Sequence, residues 1–510
     1  MGELLGLNSL VANTAYLTAQ HTDRDELRKL RPPLTLPKPK MSSALRTAVG
    51  RKYESLCERQ PIGRKLFQQF LRACNPQYRV AAEFLEELSD WCFAEEDARE
   101  AAKQRILAKF CQPESGSFLS YLTGEAAERC KRLSDKDFEM TSDQMREDTT
   151  DFLRGKPFSE YLNSPFFYRF LQWKEYEKQK ISDRYFHEFR TLGRGGFGAV
   201  CAVQVKQTGQ MYACKKLNKR CLKKESGEEM ALVEKQILEK VNSLFVVNLA
   251  YAYDNKTHLC MVMDLMNGGD LGFHIYKLGE RGIRMERVVY YVAQITTGLL
   301  HLHSMDIVYR DMKPDNVLLD ARGQCRLSDL GLAVELPKGK KVCQKAGTTG
   351  YMAPEILRQE YYRTSVDWWA VGCSIYEMVA ARLPFKDFRE KVQNEEVTRR
   401  TLEDECKFEH KHFDAPTQDL VRRFLKKKQP DLPEHKLEGS IDSADSGFRN
   451  LIFYRRLSIN FRRLEFSTGA VPIRWQKEMI DTGVFDELDQ PRLNGHSREA
   501  AWESRTCAVL

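Results

Sequence analysis

The chain has 510 residues, of which 42% are hydrophobic and 30% charged, a composition typical of a globular protein of about two to four domains. The net charge of +8 is small for this length. It fits a face toward anionic lipid or an acidic partner better than a nucleic-acid binder, so we expect no nucleic acid among its partners.

The cysteine pattern and the lack of long apolar runs indicate the compartment. The 14 cysteines are scattered without a CxxC pair, which favours reduced thiols over a disulfide framework. No run approaches the length of a membrane-spanning helix. Any membrane contact would therefore need a lipid anchor or a surface helix.

Residues 1–20 carry apolar side chains at helical spacing, including Leu4, Leu7 and Val11. Two interpretations remain open: a helix that docks on a partner or a membrane, and an ordinary helix that packs on its own protein. Residues 21–50 are rich in charge and proline and are interpreted as a linker or a strap.

Residues 51–180 show helical periodicity with little proline or glycine and predict an all-helical domain. No cluster of His, Cys or paired acids suggests catalysis there, so the pattern indicates an interaction or scaffolding domain. We expect its aromatic stripes to form the core. The stripes are Phe67 and Phe70; Phe84, Leu85, Leu88, Trp91 and Phe93; and Phe152, Phe158, Tyr161, Phe166, Phe167, Phe170 and Trp173.

A glycine-rich stretch opens the next region. It lies between two strand-like runs, which favours a hairpin that covers phosphates over the loop-to-helix turn of a dinucleotide fold. Glycine lets the backbone approach a phosphate without an intervening side chain. The stretch is Leu192, Gly193, Arg194, Gly195, Gly196, Phe197, Gly198, Ala199 and Val200.

Four further positions extend this nucleotide site, because the runs that carry them resemble the nucleotide-binding strands and helix of protein kinases. Lys215 lies in a strand-like run and would pair with phosphates, while Lys216 should face the other way. Glu234, in a helical run, is the candidate ion-pair partner of Lys215; the alternative is a solvated helix acid. A buried strand ends at Asp264, and the backbone groups of Asp264 and Met266 would read the adenine edge.

The catalytic chemistry is predicted for a loop at residues 309–320. Asp311, Lys313 and Asn316 follow the spacing Asp-x-Lys-x-x-Asn, and Asp329 follows eighteen residues after Asp311. In isolation the stretch could be a charged surface loop. Together with the preceding signals it resembles the catalytic core of eukaryotic protein kinases, in which these residues accept a hydroxyl proton, contact the phosphoryl group and bind Mg²⁺.

The lysine at position 313 is typical of Ser/Thr rather than Tyr kinases. Residues 332–346 contain no Ser or Thr, so phosphorylation of these residues cannot activate the enzyme. Thr348 and Thr349 remain candidates, but closure of the lobes by a partner is the preferred interpretation. The acid of a later helix, Asp367, is expected to brace the catalytic loop.

The whole chain resembles the G protein-coupled receptor kinases of the AGC group, and most closely the cone-type visual opsin kinases. The resemblance is carried by residues 13–17, 60–67, 170–174, 309–311 and 328–335. It implies an α+β multidomain protein, with a bilobal protein kinase fold inserted in an all-helical RGS-homology bundle. It also implies a receptor-docking helix at residues 1–20, the RGS-homology domain at residues 51–180 and the kinase domain at residues 187–455.

The implied function is ATP- and Mg²⁺-dependent phosphorylation of light-activated opsin on Ser/Thr residues, which ends the visual signal. The implied location is the cytoplasmic membrane face of the photoreceptor outer segment, and a calcium-sensor protein is a further candidate partner. A different AGC kinase with another substrate is a weaker interpretation. The tail at residues 491–510 ends in Cys507-Ala508-Val509-Leu510, a CaaX pattern that predicts geranylgeranylation of Cys507 and a peripheral membrane anchor.

The chain departs from the family between Lys428 and Gly469. Residues 456–490 read as a shortened AGC C-terminal region that returns to the helical domain, and Lys436 stands where an arginine partner of Glu355 is expected. Residues 440–447 are interpreted as a surface loop. The missing tail leaves an alternative open: a membrane-anchored receptor-binding protein with impaired catalysis.

Overall fold

The computed structural model describes residues 34–42, 44–112, 114–119, 121, 135–224, 227–337, 339–386, 390–427 and 468–489. These residues pack into two units. One unit takes its described residues from Arg24–Lys180 and Pro472–Leu510, and the other takes them from the remainder of the chain. None of the described helices is long and apolar enough to cross a membrane.

Several sequence predictions lie outside the described residues. They concern the docking helix at residues 1–20, the replacement of an arginine by Lys436, the loop at residues 440–447 and the lipid-modified Cys507.

The first unit is helical. A five-residue π-helical turn at Glu54–Glu58 precedes its larger helices. The helices before residue 180 are α1 (Pro39–Ser42), α2 (Leu45–Ala48), α3 (Pro61–Cys74), α4 (Pro76–Phe93), α5 (Glu96–Phe110), α6 (Asp135–Arg154), α7 (Lys156–Tyr161) and α8 (Pro165–Tyr176).

Local sequence explains where these helices begin. Asn75 caps α4 by accepting a hydrogen bond from the backbone N–H of Gln77 at 2.9 Å. Pro76 occupies the first turn, where a missing N–H costs nothing. The predicted linker ends in α1 and α2, and its Pro37 carbonyl accepts a hydrogen bond from Gln172 of α8 at 2.7 Å. This end of the linker is therefore tied to the bundle.

The aromatic stripes form most of the helical core. Phe67, Phe70, Tyr161 and Phe170 are buried. The ring of Tyr161 contacts Phe67 edge-on and Phe70 at a tilt. Phe170 stacks on Phe167. The prediction for Phe93 is wrong, because this side chain is 87% exposed. Phe93 is the last residue of α4, so the helical spacing that buries Trp91 carries it past the edge of the bundle.

The second unit begins with a twisted antiparallel sheet in the order β1-β2-β3-β5-β4. Direct pairing aligns Val200 with Lys215, and Lys215 with Met261, on one face. Lys216 points to the other face, where it pairs with Glu188, as the sequence predicted. The strands are β1 (Phe186–Gly195), β2 (Gly198–Val205), β3 (Met211–Asn218), β4 (Leu249–Asp254) and β5 (His258–Asp264).

The remainder of this unit is mostly helical. The helices are α9 (Lys219–Lys224), α10 (Glu228–Lys240), α11 (Leu271–Tyr276), α12 (Met285–Ser304), α13 (Pro354–Leu357), α14 (Ser365–Ala380), α15 (Asn394–Glu403) and α16 (Ala415–Phe424). Helix α14 is buried on nearly every side, as its almost entirely apolar sequence requires. The short strands are β6 (Ile307–Val308), β7 (Val317–Leu319), β8 (Cys325–Leu327) and β9 (Val334–Glu335). The loop with Asp311, Lys313 and Asn316 lies between β6 and β7, and Asp329 follows β8, which pairs with β7.

The chain then returns to the helical unit. Strand β10 (Gly469–Ala470) pairs with β4, and the helices α17 (Pro472–Asp481) and α18 (Val484–Asp489) follow. Trp475 of α17 is buried against Trp173, with ring centroids 6.0 Å apart. Gln476 accepts a hydrogen bond from the backbone N–H of Ile62 at 3.2 Å. A segment distant in sequence therefore completes the core of the helical unit.

We expect Trp475→Ala to lower the free energy of unfolding of the helical unit by about 3–5 kcal/mol, because it leaves a cavity in the core. Ile473→Ala on the same helix is the control, since Ile473 is exposed and should change this energy by less than about 0.5 kcal/mol. Urea unfolding followed by circular dichroism measures both. Equal effects would show that α17 is not part of this core.

Candidate active site

An ion-pair network joins three residues that the sequence placed on separate elements. Lys215 Nζ of β3 lies 2.6 Å from Glu234 Oε1 of α10 and 3.1 Å from Asp329 Oδ1. Glu234 is buried, whereas the side chain of Asp329 is 54% exposed. The structure therefore brings the predicted phosphate-binding lysine and its predicted partner together, with a second carboxylate facing the open side.

The electrostatics favour the charged forms of Lys215 and Asp329, whereas burial raises the pKa of Glu234. Burial opposes the ammonium form, but the carboxylates of Glu234 and Asp329 raise the pKa of Lys215. Burial would also raise the pKa of Asp329, yet the neighbouring ammonium of Lys215 holds it below its usual value. Both groups thus carry the charges needed for contacts with phosphate and with a divalent cation.

The glycine-rich stretch covers a cleft of about 480 Å³. Its lining includes the residues from Gly193 to Val200 and the side chains of Lys215, Glu234, Asp311 and Asp329. A Cβ atom on Gly198 would lie 1.8 Å from the carbonyl oxygen of Lys216, so only glycine permits this close strand pairing. By contrast, Gly193, Gly195 and Gly196 have open space where a side chain would lie, consistent with a backbone left bare for a ligand.

Asp264 and Met266, which were predicted to read the adenine edge, are outside the lining of this cleft. Leu192, the first residue of the predicted glycine-rich stretch, is also outside it. The backbone N–H of Asp264 donates to the carbonyl of Asn248 at 3.1 Å, and its carboxylate accepts from the Asn248 amide at 3.0 Å and pairs with Arg326. The side chain of Asp264 thus fixes the end of β5, which the sequence analysis did not anticipate.

The catalytic-loop residues form a second cluster around Asp311. Its Oδ2 accepts hydrogen bonds from Lys313 Nζ at 2.8 Å and from Asn316 Nδ2 at 2.7 Å. Asn316 Nδ2 also donates to the Asp311 carbonyl at 2.9 Å. Asp311 is buried and contributes to the lining of the cleft. The spacing read from the sequence is therefore compatible with the geometry of a general base.

Thr348 is a further member that sequence reasoning missed. Its hydroxyl donates to Asp311 Oδ1 at 2.7 Å and accepts from Lys313 Nζ at 2.7 Å. The sequence suggested only that Thr348 could be phosphorylated. Its partners lie 37 and 35 residues away, so only the folded chain reveals this bridge.

Buried groups behind the loop fix its backbone. Asp367 of α14 accepts hydrogen bonds from the backbone N–H groups of Tyr309 at 3.0 Å and Arg310 at 2.8 Å. It also contacts His303 at 2.8 Å. The hydroxyl of Tyr309 donates to the carbonyl of Ser328, next to Asp329. Asp367 braces the loop as predicted, and Tyr309 ties it to the segment that carries Asp329.

The residues fit a divalent metal held jointly with phosphates. The side-chain nitrogen of Asn316 donates a hydrogen bond to Asp311, so the side-chain oxygen of Asn316 remains available as a metal ligand. Asp329 supplies a carboxylate. The described residues contain no group of three or more His, Cys, Asp or Glu side chains that could hold a metal alone. A small hard cation bound through few protein oxygens and the substrate phosphates matches this ligand set.

Glu355 has electrostatic partners among the described residues. Burial raises the pKa of its carboxyl, while a hydrogen bond from Ser365 and the charge of Arg358 act in the opposite direction. Lys436, which stands where an arginine partner is expected, lies outside the described residues.

Comparison with known proteins identifies both units. A protein kinase domain matches residues 186–433, and a regulator of G protein signaling domain matches residues 52–170. The chain is 56% identical to "Rhodopsin kinase grk7a" of Danio rerio and 47% identical to "Rhodopsin kinase GRK7" of Homo sapiens, in each case over the full length of both chains. The chain belongs to the rhodopsin kinase family.

Membership of the rhodopsin kinase family confirms the predicted fold class and an ATP-dependent Ser/Thr protein kinase that uses a divalent metal. "Rhodopsin kinase GRK7" of Ictidomys tridecemlineatus is a further relative, 49% identical over 99% of each chain. The alignment with the Danio rerio rhodopsin kinase spans 551 positions, which exceeds the 510 residues of this chain by 41. That rhodopsin kinase therefore contains residues without a counterpart here.

We expect Thr348→Val to lower kcat by about tenfold to a hundredfold, because it removes the hydroxyl that bonds to two charged groups. Thr348→Ser should retain most of the activity. Thr349→Val is the matched control and should leave kcat within about twofold. Steady-state peptide phosphorylation measures all three variants. Equal losses in Thr348→Val and Thr349→Val would contradict the bridging role of Thr348.

Proposed function

We propose that this chain phosphorylates Ser/Thr hydroxyls of light-activated opsin and so ends the receptor's signal. The observation that carries the proposal is full-length similarity to rhodopsin kinases in a chain whose phosphoryl-transfer residues lie together. The relatives are named for rhodopsin, which is an opsin-based receptor. The regulator of G protein signaling domain is compatible with a function in signalling by such a receptor.

In the proposed mechanism, ATP would donate its γ-phosphoryl group and leave as ADP, and Mg²⁺ would neutralise the charge of the phosphates. Asp311 accepts the proton of the attacking hydroxyl, and Lys313 stabilises the transferred group. Asn316 and Asp329 provide the metal ligands. These residues act by position and charge, since phosphoryl transfer needs little covalent help from the protein.

The nucleotide is proposed to bind beneath the glycine-rich hairpin of residues 192–200. Lys215 pairs with the phosphates and Glu234 holds Lys215 in place. The backbone groups of Asp264 and Met266 are assigned to the adenine edge. Because they are outside the lining of the cleft beneath the hairpin, this assignment rests on their position at the end of β5.

The proposed location is the cytoplasmic membrane face of the photoreceptor outer segment. Prenylation of Cys507 would supply one anchor, and one lipid chain gives only marginal membrane affinity. The receptor-docking helix at residues 1–20 or the net positive charge would supply the second contact. A calcium-sensor protein is a further proposed partner.

We assign the 41 surplus positions of the Danio rerio relative chiefly to the region between Lys428 and Gly469. On this assignment the kinase domain covers residues 187–455 and the C-terminal region, residues 456–490, is shortened. The alternative of a receptor-binding protein with impaired catalysis has less support. The ion pair between Lys215 and Glu234 and the cluster around Asp311 are both formed without the missing segment.

The direct test is transfer of labelled phosphate from ATP to light-exposed photoreceptor membranes. The unsubstituted chain should label opsin in light far more than in darkness. Asp311→Asn should reduce the labelling by about 10²- to 10⁴-fold, because the general base is lost. Equal labelling in light and darkness would contradict the preference for activated opsin.

Asp419→Asn is the matched control for this substitution. Asp419 is exposed on α16, where it pairs with Arg423 on the surface. Its replacement should leave labelling within about twofold, since exposed pairs contribute little. Full labelling by Asp311→Asn would refute the role assigned to Asp311.

A further inference from the structure

Arg310, immediately before the proposed general base, is held by neutral groups alone among the described residues. Its Nε donates to the carbonyl of Leu332 at 2.7 Å. Its Nη1 donates to Gln344 Oε1 at 2.9 Å and approaches the hydroxyl of Tyr362 at 3.4 Å. No carboxylate of the described residues lies within 4.0 Å of this guanidinium.

The backbone of Arg310 also needs external support. Its φ of 66° lies in the left-handed region, which is unfavourable for a non-glycine residue and persists only when neighbours impose it. Asp367 holds its backbone N–H, and the three neutral acceptors hold its side chain. The conformation of Arg310 is therefore linked to that of Asp311.

Leu332 and Gln344 stand near the two ends of a segment without Ser, Thr or Tyr at residues 332–346. In kinases that are activated by phosphorylation, a new phosphate in this segment orders it by pairing with arginine. Here Arg310 joins both ends of the segment, because it donates to the backbone carbonyl of Leu332 and to the side-chain amide oxygen of Gln344. No residue between them can accept a phosphate on a hydroxyl.

Gln344 is itself positioned by its surroundings. Its backbone carbonyl accepts a hydrogen bond from the Tyr362 hydroxyl at 2.7 Å. Val342 and Tyr362 exchange backbone hydrogen bonds of 3.0 and 2.9 Å. These contacts fix the backbone on the side where the Gln344 amide faces Arg310.

The chain passes from Gln344 to the catalytic cluster within four residues. Gly347 has a φ of 123°, and a Cβ atom there would lie 2.9 Å from the carbonyl oxygen of Arg310. Only glycine allows the chain to pass this close. Thr348 follows and donates its hydroxyl to Asp311. A displacement of Gln344 would therefore reach both Arg310 and Thr348.

We propose that Gln344 is a positioning residue that takes the place of an activating phosphate. Its side-chain carbonyl accepts the Arg310 hydrogen bond and holds residues 342–348 in the arrangement that accepts substrate, without covalent modification. This inference rests on the proposed kinase function.

The test uses the full chain with ATP, Mg²⁺ and a soluble Ser/Thr peptide. Gln344→Leu keeps the size of the side chain but removes its acceptor, and kcat should fall by about tenfold with little change in the KM for ATP. Gln344→Glu restores an acceptor and adds a charge for Arg310, so it should retain or raise kcat. Gln393→Leu is the matched control at an exposed position and should leave kcat unchanged.

Amide hydrogen exchange at residues 342–346 provides a readout that does not depend on turnover. Exchange should accelerate in Gln344→Leu and not in Gln344→Glu. Unchanged kcat and exchange in Gln344→Leu, or equal losses in the Leu and Glu variants, would overturn the role of Gln344. Absence of phosphorylation by the unsubstituted chain would instead contradict the proposed function, and the exchange comparison would still decide the role of Gln344.

Discussion

The active site depends on one ion pair, between Lys215 of β3 and Glu234 of α10. Burying a carboxylate and an ammonium is costly unless each satisfies the other, so the pair fixes the helix against the sheet. The same ammonium reaches Asp329 and lowers the pKa of its carboxyl. Lys215 therefore fixes the position of α10 through Glu234 and favours the charged form of Asp329, the proposed metal ligand. All three residues contribute to the lining of the cleft.

The second cluster is built on the same principle from a different part of the chain. Asp367 is buried at the start of α14 and uses its carboxylate to hold the backbone of the loop before Asp311. Thr348 and Lys313 then donate hydrogen bonds to the two carboxylate oxygens of Asp311. Each charged group has partners on more than one element, so the site is preorganised without a bound ligand.

Spacing within a short segment was enough to predict much of the site. Lys215, Glu234 and Asp329 could be read in order because each lies in a stretch with a recognisable pattern, and the structure brings them together. Thr348 and Gln344 could not be read this way, since their partners are far away in sequence. Phe93 fits a helical stripe but is exposed, because periodicity does not show where a bundle ends.

The fold was predicted with similar limits. Helical periodicity predicted the helical unit. The resemblance of the ordered motifs to those of protein kinases predicted the kinase fold and the return of the chain after the second unit. The burial of Trp475 against Trp173 depends on packing between segments about three hundred residues apart, which no local pattern encodes.

The pair between Lys215 and Glu234 is proposed to prepare a cleft that binds nucleotide, even with the proposed shortening of the C-terminal region. A thermal-unfolding titration with ATP tests it most directly, because a ligand that binds only the native state stabilises that state. The melting temperature of the second unit should rise with ATP and Mg²⁺, rise less when EDTA removes the metal, and rise far less in Glu234→Gln. Glu239→Gln on the same helix is the control, since Glu239 pairs with Lys235 and is outside the lining of the cleft, and should match the unsubstituted chain. No rise with ATP and Mg²⁺ in the unsubstituted chain would contradict the account.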